Sequence, residues 1–410
     1  MCGYENPKHS EKMSFKPKKQ IGVGDLILSP RAKQYVNQAL DNNRLSYGPF
    51  HVKFENMFAK EHDCRYACFC NSGASALQIA LAALKIKYGW SDGDEVIVPA
   101  VTFVATVNVI FQNNLIPVLV DVDEKTFNID PDKIEEKITP KTRCILPVHL
   151  LGLPADMEPI QRIAKKHSLR IVEDSAECMF AAVNGKKVGS LGDIGCFSTY
   201  MAHFIITGVG GLVTTNDPEL AILMKSLINH GRDSIYLNID DDKKEDEKEL
   251  FEVVARRFRF TNIGFSYRAT EMEAAIGVSQ MEQKDFIISK RKENADFFTK
   301  ALAPLQEFIR LPTIPKGRTH TFMIYGLTVL KEEKRNLVNF LEKNLIETRD
   351  LLPLTSQPYL KNLLGEDIEE LFPVAKKINH HSFYIGCHPY MTSDELNFVV
   401  DKFFEYFKNR

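Results

Sequence analysis

From about residue 20 to residue 290 the chain alternates short apolar runs with stretches of helical spacing, and this alternation constrains the fold more than any other feature. Runs at 66–70, 95–98, 116–120, 144–148, 170–172, 195–198 and 211–214 have strand length and an apolar character. Between them, residues 75–84 and 157–167 repeat apolar positions three and four apart, as an amphipathic helix does. Strands apolar on both faces and separated by helices imply an α/β fold with a mostly parallel sheet covered on both sides. The expected organisation is an extension at 1–20, a large domain at 21–290 and a small C-terminal α/β domain at 291–410. The small domain has strand character at 323–329, a helix over 334–345 and a closing amphipathic helix at 393–407. Ser393-Asp394-Glu395-Leu396 supplies capping chemistry for that last helix. The charged run at 240–249 reads as a solvated loop insertion.

Charge and composition exclude several classes of partner. Lys and Arg total 52 against 54 acids, a formal net charge of −2. Such a balance builds no field for nucleic acid or a membrane surface. The N-terminus is polar, no apolar run approaches about 18 residues, and the expected location is cytoplasmic. Of the eight cysteines, Cys64, Cys68 and Cys70 are the only close group, and their spacing lacks the paired arrangement of a zinc site. They read as buried, reduced thiols, with no metal expected.

Four segments carry candidate chemistry. Cys70-Asn71-Ser72-Gly73-Ala74-Ser75 joins a strand to a helix, and a small-residue turn at a helix start can present amides and a positive dipole end to a phosphate. A well-capped helix start has the same pattern. Val98-Pro99-Ala100-Val101-Thr102-Phe103-Val104-Ala105-Thr106 offers an aromatic residue, Phe103, that alone reads as core. Ile171-Val172-Glu173-Asp174-Ser175-Ala176-Glu177 places acids at the end of an apolar strand, where an unpaired carboxylate is costly to bury. Gly264-Phe265-Ser266-Tyr267-Arg268 carries an arginine suited either to an anion or to a structural ion pair.

The longest motif runs from Phe197-Ser198 through His203 to Gly210-Gly211. It resembles the cofactor-lysine motif of the DegT/DnrJ/EryC1/StrS family of pyridoxal-phosphate sugar aminotransferases. That motif reads Phe-Ser, four residues, a lysine, six residues and Gly-Gly. The resemblance extends over about residues 20 to 405 and includes the segment Asn43-Arg44-Leu45-Ser46-Tyr47-Gly48-Pro49. It implies an aspartate-aminotransferase-like fold of type I and a homodimer whose sites are built from both chains. It also assigns roles. Gly73, Ala74, Ser75 and Ser198 would hold the cofactor phosphate, Phe103 would stack on the pyridine ring and Asp174 would pair with its nitrogen. Glu177 would lie near the phenolic oxygen, Ser266 would take the place of an asparagine that reaches a neighbour's phosphate, and Tyr47 and Arg268 would face substrate.

His203 stands where the family has its lysine. A lysine amine can bind the cofactor aldehyde covalently; an imidazole can only move protons. Within the family, histidine here resembles the sugar 3-dehydratases, which hold pyridoxal or pyridoxamine 5′-phosphate non-covalently. The resemblance then implies removal of the C3 hydroxyl from a nucleotide-linked 4-keto-6-deoxy sugar, with His203 as acid and base and an amino acid such as glutamate as amine donor. The iron–sulfur type has cysteines soon after a Gly-Arg-Asp motif. Here Gly231-Arg232-Asp233 is followed by none, so no iron–sulfur cluster is expected. Three departures set the chain apart: Val209 for a glutamate, Phe204 for a second histidine, and Ser266 for asparagine. A sugar aminotransferase and a non-catalytic sugar-binding relative remain the alternatives.

Overall fold

A computed structural model of the protein describes residues 15–235, 237, 241 and 243–408. Among the described residues, nine strands occupy the first part of the chain: β1 (Tyr66–Cys70), β2 (Glu95–Pro99), β3 (Ile116–Val120), β4 (Thr142–Ile145), β5 (Arg170–Asp174), β6 (Ala182–Val183), β7 (Lys186–Lys187), β8 (Ile194–Ser198) and β9 (Gly211–Thr215). Seven form one sheet in the order β1-β9-β8-β5-β4-β2-β3. The run from β8 to β3 is parallel, and β9 is antiparallel to both its neighbours. The sheet is therefore mixed and mostly parallel, as the apolar runs require. β6 and β7 form a separate hairpin.

Several boundaries move for identifiable reasons. The expected strand at 144–148 stops at Ile145, because Pro147 has no amide to give the ladder. Val148 survives only as an isolated bridge to Asp174. The helix expected at 75–84 runs from Gly73 to Tyr88, between a Ser72 cap and a left-handed Gly89 with φ 64°. The charged run is only partly a loop. Asp240 and Asp242 lie outside the described residues, while Glu247–Glu249 open a helix, Glu247–Arg256, whose first turn Asp246 caps.

The remainder of the chain builds a second, fully antiparallel sheet from β10 (Ile309–Arg310), β11 (Tyr325–Val329), β12 (Thr348–Asp350) and β13 (Ser382–Ile385), ordered β10-β11-β13-β12. The helix expected at 334–345 spans Arg335–Lys343. The closing helix, Ser393–Phe407, is capped by Thr392 rather than Ser393: Thr392 and Glu395 exchange both hydrogen bonds of a capping box. Each sheet has its own apolar core, and the helix Lys284–Leu302 serves both, with Ile287 in the first and Phe298 and Leu302 in the second. Ile21 joins the second core through main-chain bonds with Leu345 and Glu347.

One buried carboxylate fixes the helix Pro49–Glu61. Its N-cap is Gly48, which has no side chain to offer, and Glu271 takes the Gly48, Phe50 and His51 amides at 2.9, 2.6 and 3.1 Å. Glu271 is 1% exposed, so its removal leaves three amides short of an acceptor. Glu271→Ala is expected to lower unfolding free energy by roughly 2–4 kcal/mol, the scale of lost charge-assisted bonds. The measurement is the urea midpoint at unchanged slope. A loss below about 0.5 kcal/mol would refute the capping role.

Candidate functional site

β5 delivers two consecutive acids to opposite faces of the sheet, as strand alternation demands. Glu173 is consumed by structure: it accepts the Gly189, Leu191 and Gly192 amides and meets His149 Nε2 at 3.1 Å. Asp174 is 3% exposed, and among the described residues no lysine or arginine forms an ion pair with it. Its Oδ2 accepts the Thr106 hydroxyl at 2.8 Å and its Oδ1 the Ala176 amide at 3.1 Å. Burial holds its carboxyl above the ordinary value, opposed by those two bonds and by His149.

Thr106 belongs to the helix Val104–Gln112, whose N-cap is Phe103. Phe103 is 60% exposed, so an open aromatic face sits one turn ahead of the Asp174 contact. It is not the core phenylalanine that its local sequence alone suggests.

The pairing of Asp174 with Cys196 brings the end of β8 alongside, and with it Ser198. The helix Gly73–Tyr88 begins against Ser198. A Cβ on residue 73 would lie 2.6 Å from the Ser198 Cβ, so only glycine permits this approach. Ser72 Oγ accepts the Ser75 amide at 3.0 Å, and the Ser75 hydroxyl donates to Asn71 Oδ1 at 2.7 Å. Ala74, between them, is exposed.

His203 follows β8 and folds back on it. Its Nδ1 lies 3.1 Å from the Ser198 carbonyl, and the Ala176 main chain also meets the ring. A carbonyl only accepts, so the Ser198 contact is made by a hydrogen on Nδ1. Burial lowers the His203 pKa to about 4. The two main-chain contacts oppose that shift, while the Arg291 charge adds to it. At neutral pH the imidazole is an uncharged proton acceptor. Glu177, one residue beyond Ala176, accepts the Leu151 amide at 2.9 Å, and burial pushes its carboxyl up to about 7.

Contacts thus chain Phe103, Asp174, Glu177, His203, Ser198 and the Gly73–Ser75 turn into one site. Tyr47, Ser266 and Arg268 form a neighbouring cluster instead. Arg268 donates to Asn229 Oδ1 at 2.6 Å and to Ser266 Oγ at 2.9 Å. It bridges Cys70, and the Asn71 amide donates to the Tyr267 carbonyl, so the cluster adjoins the phosphate-type turn. Tyr47 has φ 50°, and burial pushes its phenol up to about 12 against the opposing Arg268 charge. Seven described cysteines are free thiols, six buried and Cys64 half-buried. Sequence reasoning passed over Thr106 and Arg291. Thr106 closes the segment read for Phe103 and follows Thr102 by one helical turn; nothing local marks Arg291.

The family model for the DegT/DnrJ/EryC1/StrS aminotransferase family matches residues 27–404. GDP-perosamine synthase of Escherichia coli O157:H7 is 35% identical over 400 residues, 96% of this chain and 100% of that protein. Two solved structures share the fold. An aminotransferase from Psychrobacter cryohalolentis superposes with TM-score 0.84 at 29% identity, covering 93% of this chain and 98% of that one. The E. coli GDP-4-keto-6-deoxy-D-mannose-3-dehydratase with bound hydrated PLP gives 0.82 at 25% identity, covering 94% and 99%. A chain with this mixed sheet, this site and these likenesses belongs to the DegT/DnrJ/EryC1/StrS aminotransferase family, and its fold is that of the type I PLP enzymes. It is an enzyme of one of the two types these relatives represent, aminotransferase or dehydratase. Among the described residues no helix is long and apolar enough to cross a membrane.

The His203 environment has a testable pH consequence. Its folded pKa of about 4 lies below the ordinary 6.5, so between those values the unfolded chain binds more protons. The stability this residue contributes is present above about 6.5 and is lost as pH falls toward 4. The difference in unfolding free energy between the native protein and His203→Asn should therefore shrink as pH falls from 7 to 4. A difference that stays flat across that range would show that the ring is not buried neutral.

Proposed function

We propose that this protein is a PLP-dependent enzyme of the aminotransferase type, acting on a nucleotide-linked keto sugar with an amino acid, glutamate for preference, as amine donor. The observation that carries this reading is the convergence of an open aromatic face, a buried acid, a helix start and a neutral imidazole in one network. The donor set suits a phosphorylated pyridine. The Gly73–Ser75 turn and Ser198 would hold the phosphate, Phe103 the ring face, Asp174 the ring nitrogen and Glu177 the phenolic oxygen side. The first amides of a helix need outside acceptors, and a phosphate is one. A proton shared with a ring nitrogen would also supply Asp174 with the cationic partner it lacks. When bound, the cofactor supplies an electron sink for carbanion chemistry at the sugar carbon.

His203 would then take and return the proton at the reacting carbon, while the Ser198 carbonyl fixes the ring through Nδ1. With no amine at position 203, the cofactor is held non-covalently, and no iron–sulfur cluster takes part. Lys187, in the β6–β7 hairpin, donates to the Phe180 carbonyl. A second reading, dehydration at C3, is favoured by one observation: the histidine itself. It can move a proton but cannot recapture the cofactor, a property that would suit elimination without return of an amino sugar.

The deciding experiment gives the protein PLP, glutamate and a panel of nucleotide-linked 4-keto sugars, and weighs the product. An amino sugar supports the first reading, a dehydrated sugar the second, and no turnover on any substrate would defeat both. His203→Asn should lower turnover by about 10² or more with cofactor occupancy retained. His203→Lys should produce a borohydride-trappable cofactor adduct. Near-native turnover in a fully loaded His203→Asn variant would end the acid–base assignment.

The site should be completed by a second copy. Ser266 and Arg268 follow a segment in which Phe258 is 78% and Ile263 is 94% exposed, apolar side chains that a second copy would cover. A homodimer at micromolar concentration is the expected result in analytical ultracentrifugation. A fully active monomer there would remove the proposal.

A further inference from the structure

Arg291 is 1% exposed, and among the described residues no carboxylate lies within ion-pair distance of it. A cation placed this way is expensive unless its donors are well used. Its donors go to main chain. One terminal nitrogen donates to the Met323 carbonyl, the other to the His203 carbonyl at 3.2 Å, and Nε has no partner. The guanidinium lies 5.1 Å over the Phe204 ring and shares a hydrogen bond with the Cys387 thiol. Three segments therefore meet on one side chain: the loop carrying His203, the stretch leading into β11 and the stretch leaving β13.

We propose that Arg291 is a positioning residue for His203, holding the His203 main chain from inside the protein so that the imidazole keeps its place over the reacting carbon. The proposal rests on the reading of His203 as acid and base. The same charge also acts on the ring through space, disfavouring the imidazolium. Tyr200 faces His203 from its own loop, and the segment whose Ala176 main chain meets the ring also carries Asp174 and Glu177. His388 and Tyr390 face the Arg291 side from beyond β13. None of these is a cation that could replace Arg291 at neutral pH. His388 is itself held neutral, its pKa lowered to about 4 by burial and by Arg291.

The test compares Arg291→Met and Arg291→Lys with the native protein. Histidine-labelled NMR follows the His203 ring, assigned by its absence in His203→Asn. Replacing a buried unpaired cation with an apolar side chain of similar volume is often neutral for stability, so the methionine variant should fold. It should raise the His203 titration midpoint by about half a pH unit or more. It should also lower kcat by about tenfold to 10² with KM within about twofold, the scale of a slightly displaced catalytic group. The lysine variant keeps the charge but reaches only one carbonyl; its midpoint should stay near native while kcat still falls. A methionine variant with native midpoint and native kcat would overturn the proposal. So would a lysine variant with native kcat, and that arm stands even if the methionine variant fails to fold. The NMR arm needs no turnover. Should His203→Asn prove active, the acid–base reading fails, and an unmoved His203 signal in both variants would separately refute the hold by Arg291.

Discussion

The site depends on a buried carboxylate that is satisfied by neutral donors. β5 carries Asp174 to the carboxyl end of the parallel strands, where it is 3% exposed and satisfied by one hydroxyl and one amide. Neutral donors of that kind ease an anion's burial without cancelling it, so the carboxyl stays above its ordinary value. An acid in this condition gains most from whatever brings a proton or positive charge to it. The neighbouring features follow from that placement. Thr106 must stand one turn into its helix to reach the carboxylate, which leaves Phe103 uncovered at the helix start. The β5–β8 register then sets Ser198, and through Ser198 the imidazole.

Adjacent residues show how firmly the fold separates chemistry from structure. Glu173 and Asp174 are both acids on one strand, yet three amides and a histidine consume Glu173 while Asp174 faces the open side. Glycine plays the matching part at the helix start. Gly73 allows the turn to touch Ser198, and Gly211 lies so close to the Ser72 carbonyl that a Cβ there would clash with the backbone. Small residues and alternation together bring two chain segments more than 100 positions apart within contact.

Much of this was legible in the sequence, because period-two and period-3.6 apolar patterns report directly on burial. All seven strands of the large sheet were readable that way, with errors confined to ends: Pro147 shortened one strand, and Thr392 rather than its neighbour Ser393 capped the last helix. Phe103 was ambiguous, since an aromatic residue carries no sign of its own exposure. Arg291 was illegible for a deeper reason. Its partners are main-chain carbonyls 88 and 32 residues away, and a carbonyl has no identity in a sequence. The charged run misled in part because Asp246 caps a helix inside it.

The replacement of lysine by histidine at position 203 is less disruptive to the surroundings than the change in chemistry suggests. Burial and the Arg291 charge push His203 down to about 4. Both effects act on any cation at that place, whatever atom carries it. A lysine there would also be driven toward its neutral amine, the form that attacks an aldehyde. One environment therefore serves either residue: it keeps an imidazole ready to accept a proton, and it would keep an amine ready to bond. On this argument the family's two chemistries can differ at one side chain because the electrostatic work is done by the residues around it.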